Sequence, residues 1–291
     1  MRIIILLLVS VLTLSSHAQN SLEGIEVEIF YISSQEDNLD SLHSGTLTPG
    51  SVTYRIYVDL APKCRLQAVY GAPNHTLSIK SSALIYNHTE AGNDNANIIR
   101  ERELPKNIAL LDSWISIGAA GENMLAIPKE IDNEGNDEII FKKGFLSNEC
   151  NAMGIPLTRR NGMVRSEYLA FPTYYHLEES IGVLEAGTKS NEFRVENGAW
   201  AALGKGAVGA DSLAQNRVCI AQITTNGSLD YELNLLINSP EGKSQKYVAR
   251  NAAEPNEFVA PCLIGHIDMP ICPTKKSHRK SKHKKNKNHQ R

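Results

Sequence analysis

Residues 51–80 read SVTYRIYVDLAPKCRLQAVYGAPNHTLSIK. Val52, Tyr54, Ile56, Val58 and Leu60 fall on one side of an extended chain; Thr53, Arg55, Tyr57 and Asp59 fall on the other. A period of two marks a strand with one buried face. The polar set Arg55, Tyr57 and Asp59 is therefore expected on solvated sheet. Ala61-Pro62-Lys63 turns the chain into a second run through Leu66, Ala68 and Tyr70. Gly71-Ala72-Pro73-Asn74 turns it into a third, through Leu77 and Ile79.

The same grammar extends both ways from this stretch. GIEVEIFYI (24–32) alternates, LLDSWISIG (110–118) and MLAIP (124–128) are strand-like, and Phe193 and Val195 lead into Asn197-Gly198-Ala199-Trp200. Arg217 to Thr224 reads as a strand, Asn226-Gly227 as a two-residue hairpin turn, and Leu229 to Ile237 as one alternating strand. Ser239 to Lys243 turns the chain into a last strand, Gln245 to Ala249. Residues 80–110 are an Asn-rich loop, and 129–179 have scattered aromatics without period. No amphipathic run of helical length separates the strands, which favours a sandwich over a βαβ fold.

The expected fold class is all-β, of β-sandwich type, as one large or two small lobes with an irregular middle. The expected segments are an N-terminal lobe (19–128), an irregular connection (129–179), a C-terminal lobe (180–255), a cysteine loop (256–274) and a basic tail (275–291). DSWISIG (112–118) and GAWAALG (198–204) each place a Trp four residues before a Gly, which a duplicated module or chance would produce equally.

Residues 1–18 read as a secretory signal peptide: Met1-Arg2, an apolar run Ile3 to Leu14, and Ser16-His17-Ala18 before the cut. The run is shorter than the roughly 20 residues of a spanning helix, and no later stretch is long and apolar enough to span. Export is the expected location: extracellular, periplasmic or at the cell surface. The formal net charge of −2 conceals two blocks. Residues 275–291 hold nine Lys/Arg and no acid; without these and Arg2, 20 basic residues face 32 acidic ones, so the body is near −12.

The five cysteines are Cys64, Cys150, Cys219, Cys262 and Cys272. An odd number in an oxidising compartment leaves one unpaired. The Pro-flanked PCLIGHIDMPIC predicts a Cys262–Cys272 disulfide, with Cys64–Cys150 a weaker pairing and Cys219 a buried free thiol. No spacing suggests zinc.

Other chemistry-like patterns read better as structure. Gly204 to Gly209 matches GxGxxG but lacks room for the helix that would meet a phosphate, so no nucleotide cofactor is expected. Asp112 and Ser113 with His75 or His88 could form a triad, but no nucleophile elbow accompanies them. NDNAN (93–97) and DNEGNDE (132–138) offer oxygens for calcium without EF-hand spacing, since Gly135 is fourth rather than sixth; they read as solvated loops. Trp114 and Trp200 read as core anchors rather than sugar platforms. Asn74, Asn87 and Asn226 head glycosylation sequons. The tail lysines and arginine, Lys275, Lys276, Arg279, Lys280, Lys282, Lys284, Lys285 and Lys287, are candidates for contact with an anionic polymer or surface; attraction to the acidic body and a merely solubilising role are the alternatives.

Three stretches, TYRIYVDLAPKCRLQAVYGAPNHTLSI (53–79), LDSWISIGA (111–119) and NGAWAALGKGAVGADSLAQNRVCIAQITTNGSLDYELNLLI (197–237), together resemble a family of uncharacterised exported bacterial proteins. The shared features are a TYR-x-Y strand, a DSWxxIG block and a VxIxQxTTNG hairpin, spanning most of 24–250. The resemblance implies export and a β fold, and no site residues. Many relatives carry a C-terminal sorting module where this chain has a cysteine loop and basic tail.

The leading functional expectation is a non-catalytic secreted or surface-associated binding or adhesion protein. A secreted carbohydrate-active or other hydrolase is the alternative, needing two carboxylates about 5–10 Å apart across one groove. A self-assembling structural protein is a third.

Overall fold

The computed structural model describes residues 20–38, 47–104, 107–133 and 146–272. Within them the chain is all-β, of sandwich type, with one four-residue helix, α1 (Glu178–Ile181). Numbered in chain order, the strands begin with β1 (Leu22–Ile32), β2 (Val52–Leu60), β3 (Arg65–Gly71), β4 (Leu77–Ser81), β5 (Trp114–Ile115) and β6 (Ala119–Gly121). They continue through β7 (Met124–Ala126), β8 (Met163–Arg165), β9 (Pro172–Tyr175), β10 (Glu192–Val195), β11 (Gly198–Ala202) and β12 (Asn216–Thr225). The last are β13 (Leu229–Glu232), β14 (Leu235–Asn238), β15 (Ser244–Val248), β16 (Glu257–Val259) and β17 (Ile264–Ile267). They form sheets in the orders β1-β2-β12-β5, β10-β4-β13-β17, β16-β15-β14-β3-β11-β9 and β6-β7-β8. Every ladder among them is antiparallel except β15–β16.

Two of these sheets are leaves of one bent surface. The neighbours β10-β4-β13 in the first match β11-β3-β14 in the second, so three chain segments run from leaf to leaf across a shared corner. There Ala72 and His75 exchange backbone hydrogen bonds of 2.9 and 2.8 Å. Gly71 sits so close to β10 that a Cβ would lie 2.0 Å from the Val195 carbonyl oxygen, which only glycine permits. Asn234 pins the corner: its Nδ2 donates to Tyr70 O (3.3 Å) and His75 O (2.8 Å), and its Oδ1 accepts from Ala249 N (3.2 Å). For this reason the stretch 229–237 is two strands, broken at Leu233-Asn234, and not the single strand its alternation predicts.

Other expected hairpins are arches between sheets. β12 and β13, on either side of Asn226-Gly227, belong to different sheets, as do β2 and β3. Gly227 fits under the 81–83 backbone, where a Cβ would meet Ser82 Oγ at 2.5 Å and Ala83 N at 2.6 Å. Ser239–Lys243 does join a paired hairpin, β14–β15. Facing sheets meet through Trp200, whose indole donates to Ser116 O at 2.8 Å and whose ring lies 5.8 Å from Phe193.

Several expectations need correction. β2 buries both faces: Thr53, Arg55 and Tyr57 are as enclosed as Val52, Tyr54 and Ile56, because β2 is central in its sheet and a further layer covers it. Only Asp59 of the polar set reaches solvent, 3.8 Å from Arg217. The segments 19–128 and 180–255 do not own separate sheets, since β2 pairs with β12 over its whole length. The middle segment contributes β8 and β9 to two sheets. Cys272 pairs with Cys150, their Cα atoms 5.7 Å apart, while Cys262, Cys64 and Cys219 are free. The expected Cys262–Cys272 bridge is not formed: Cys262 lies in the turn that leads into β17, while Cys272, past the end of that strand, is bonded to Cys150.

The proposed signal peptide (1–18), the basic tail (275–291) and residues 134–138 of the acidic loop lie outside the described residues. Among those described, no helix is long and apolar enough to cross a membrane.

Candidate functional site

The three quoted motif stretches meet in the interior. Thr53 and Thr224 share a hydroxyl hydrogen bond of 2.7 Å. Arg55 Nε donates to Gln222 Oε1 (2.9 Å), and Gln222 Nε2 donates to Leu110 O (2.9 Å) and Asp112 O (2.7 Å). Ser113 Oγ donates to Tyr86 O (2.6 Å) and accepts from Thr224 N (3.0 Å). Thr53, Arg55, Ser113, Gln222 and Thr224 are all buried. The network satisfies backbone groups of the 110–113 segment, which has few ladder partners of its own, and it presents nothing to a ligand.

A second buried cluster holds the middle segment against β1. The Arg55 guanidinium lies 3.6 Å from the Phe30 ring centroid and donates through Nη1 to Gly162 O at 2.8 Å. Lys129, 2 % exposed, donates through Nζ to the carbonyls of Ile29 (3.0 Å), Phe30 (2.9 Å) and Met153 (2.9 Å). Burial of this ammonium brings its pKa down to about 8, with Glu28 opposing and Arg55 reinforcing the shift. Burial likewise raises the Glu28 carboxyl, against the pull of Lys129. Glu28 Oε1 accepts from Lys129 N at 2.8 Å, and Asp132 Oδ2 accepts from Gly162 N at 2.9 Å. These charges act as fasteners for backbone that lies off the sheets.

The triad candidates do not assemble. Asp112 Oδ1 accepts from the His88 backbone N at 2.7 Å, and the His88 ring Nδ1 accepts from Glu90 N and Ala91 N. Burial pushes the Asp112 carboxyl well above the ordinary range despite amide donors from His88, Ser113 and Asn93. His75 lies 3.1 Å from Glu257, at the opposite end of the chain. In 93–97, Asn93 Oδ1 and Asn95 Oδ1 cap Asn95 N and Asn97 N at 3.0 Å each, so those oxygens serve the turn. Among the described residues no three His, Cys, Asp or Glu side chains are grouped to hold a metal. The glycine-rich run 204–209 leads through loop and bridge into β12 rather than into a helix. Trp114 and Trp200 are core residues, and Cys219 is a buried thiol whose pKa burial pushes up to about 12. Of the sequon asparagines, Asn74 and Asn226 are exposed; Asn87 is buried, its Nδ2 donating to Val183 O at 2.8 Å.

The sequence reading passed over a groove of about 490 Å³ beyond the end of the three-stranded sheet. Its walls are the 3-10 turn Ala96–Ile98, the β6–β7 turn at Glu122-Asn123, and the 166–171 loop. Hydrogen bonds tie the walls together: Glu122 N to Ile99 O (2.8 Å), Ser166 N to Asn123 O (2.9 Å), and Asn97 Nδ2 to Ala170 O (2.9 Å). An Arg165–Glu101 fork, at 2.7 and 2.6 Å, braces the base. In its lining Phe171 is 59 % exposed and Ile98 46 %; Tyr168, on the same 166–171 loop but outside the lining, is 92 % exposed. The signal for these residues was in IPLTRRNGMVRSEYLAFPTYYH (155–176): aromatics that follow neither a strand nor a helix period are free to face outward.

A second concavity, of about 700 Å³, lies beside α1 and collects Glu178, Glu179, Glu192 and Glu196 around Arg194. Arg194 Nε bonds Glu196 at 3.0 Å and Nη1 lies 3.7 Å from Glu192. The candidate tail contacts Lys275 to Lys287 lie outside the described residues, so their position relative to this acidic face is not part of the fold described. Comparison with protein-family models, with curated proteins and with solved structures finds no match to this chain.

Proposed function

We propose that this is a non-catalytic exported binding protein whose contact face is the groove walled by residues 96–100, 122–123 and 166–171. The observation that carries the reading is Phe171 and Ile98 held in solvent in the lining of a concavity whose walls are hydrogen-bonded to one another. Apolar side chains clustered around a braced groove are costly on a monomer surface unless they meet a partner. Export is supported by the sequence of residues 1–18 and is compatible with the Cys150–Cys272 disulfide. The buried convergence of TYR, DSW and VCIAQITT supports treating those motifs as the signature of a scaffold shared with exported relatives.

A hydrolase reading has one observation in its favour, since Glu122 and Glu167 line the same groove. Both side chains stand in solvent, whereas an acid catalyst gains its proton affinity from an apolar enclosure. That weighs toward binding.

The test is an array carrying glycans, cationic peptides and phospholipids, probed with labelled full chain, a Tyr168→Ala/Phe171→Ala variant and a chain truncated after Thr274. The groove variant should melt like the parent and lose signal on one ligand class. If no signal anywhere depends on the groove, the reading falls. The tail is proposed as a second, salt-sensitive contact to anionic surfaces. Truncation should abolish low-salt retention on anionic phospholipid and leave the groove signal intact; unchanged retention would remove that role.

A further inference from the structure

We infer that the ligand of this groove is a carbohydrate, uncharged or amino-bearing; this rests on the groove being the contact face. A sugar ring offers an apolar C–H face and a hydroxyl edge. The groove offers complements to both. Phe171 lines the groove and presents aromatic surface to solvent, and such a side chain gives large contact area at small entropic cost. The polar wall combines donors and acceptors: Asn123 and Ser166 supply both, Glu122 and Glu167 accept, and Arg100 donates.

Asn97 stiffens the wall behind these groups: it is only 8 % exposed, its Nδ2 is fixed on Ala170 O at 2.9 Å, and its Oδ1 is enclosed within the wall.

Charge narrows the ligand further. Two carboxylates face one guanidinium, and Arg100 already lies 3.7 Å from Glu103. Phosphate- or sulfate-bearing ligands, nucleic acid included, need the reverse balance. A lipid chain would strand the polar wall without partners. The volume of about 490 Å³ falls in the usual range of small-ligand sites.

On the array described above, the parent should bind neutral or amino-substituted glycans. Tyr168→Ala/Phe171→Ala should weaken that binding roughly tenfold or more, the effect of losing one good aromatic anchor. Glu122→Lys/Glu167→Lys should weaken amino-bearing glycans most and admit sulfated ones. Groove-dependent signal confined to peptide or lipid spots overturns the carbohydrate assignment and leaves the groove as the contact face. Signal on glycans that survives both double variants in folded protein overturns the assignment as well. If no signal on the array depends on the groove, both proposals fall.

Discussion

At Arg55 a guanidinium lies 3.6 Å from the Phe30 ring centre and donates hydrogen bonds to Gln222 Oε1 and Gly162 O. The alternation of TYRIYVDL assigns this residue to water, because a two-residue period distinguishes two faces and not what covers each. What covers the second face comes from other segments of the chain: Phe30 of β1, and Gly162, 107 residues away. Trp114, Trp200 and Cys219 were legible because their chemistry favours burial in almost any β context. Gln222 is the residue whose loss should show the network most cleanly. Its amide serves Arg55, Leu110 O and Asp112 O, so Gln222→Ala leaves three polar groups buried without a partner. We expect a loss of about 2–3 kcal/mol in urea unfolding. Arg55→Ala should cost on the order of 3–5 kcal/mol, from the cavity and the orphaned acceptors. A change under about 0.5 kcal/mol in either variant, the size of an ordinary surface substitution, would mean that the network carries no stability.

Strand existence was readable from residue pattern, while strand partnership was not. Asn226-Gly227 between two alternating runs has the composition of a tight hairpin, yet β12 and β13 go to different sheets. Local turn chemistry fixes the reversal, and packing of Gly227 under residues 81–83 fixes where the chain goes next. The disulfide is another case of tertiary geometry overriding sequence proximity. Cys150–Cys272 closes a separation of 122 residues and anchors the C-terminal segment, in which β16 and β17 are edge strands of two different sheets. In the chain-entropy account such a crosslink contributes roughly 4–5 kcal/mol. Non-reducing peptide mapping should join the peptides of Cys150 and Cys272. Reduction, or Cys150→Ser, should lower the melting temperature and open the chain to protease first within 257–272. Of the free thiols, Cys262 should be labelled in the folded state and Cys64 and Cys219 only after unfolding, since both are buried. A peptide linking Cys262 to Cys272 would contradict the Cys150–Cys272 pairing.

Over the whole molecule, buried ionisable groups set the response to pH. Burial raises the carboxyls of Glu28, Asp37, Asp94 and Asp112. The folded chain then keeps protons that the unfolded chain has released, so these groups stabilise below the ordinary carboxylate range near 4 and lose that contribution as pH rises through their folded pKa values. Lys129 has the opposite sign: lowered from 10.5 to about 8, it releases its proton earlier when folded, and stability should recover between those values. Buried tyrosines reverse the trend once more. Tyr54 is raised by burial to about 12, and Tyr31, Tyr57, Tyr70, Tyr86 and Tyr174 are also raised, so stability should fall above their ordinary value of 10.0. Urea midpoints from pH 4 to 11 should therefore decline from mildly acidic toward neutral pH, recover partly above 8 and decline again near 10. Lys129→Met should erase the recovery, and Asp112→Asn should shallow the first decline. A flat profile across that range would contradict the burial of these groups.

The ladder between β2 and β12 joins Val52 to Thr225 and Leu60 to Asn216. A ribosome releases the first of these strands long before the second exists, so β2 can pair with β1 but lacks its other neighbour during most of synthesis. Folds dominated by such distant pairings form slowly, over milliseconds to seconds. For a chain proposed to leave the cell, that delay suits passage through a translocation pore: the first sheet cannot be completed until β12 ends at Thr225 of 291 residues.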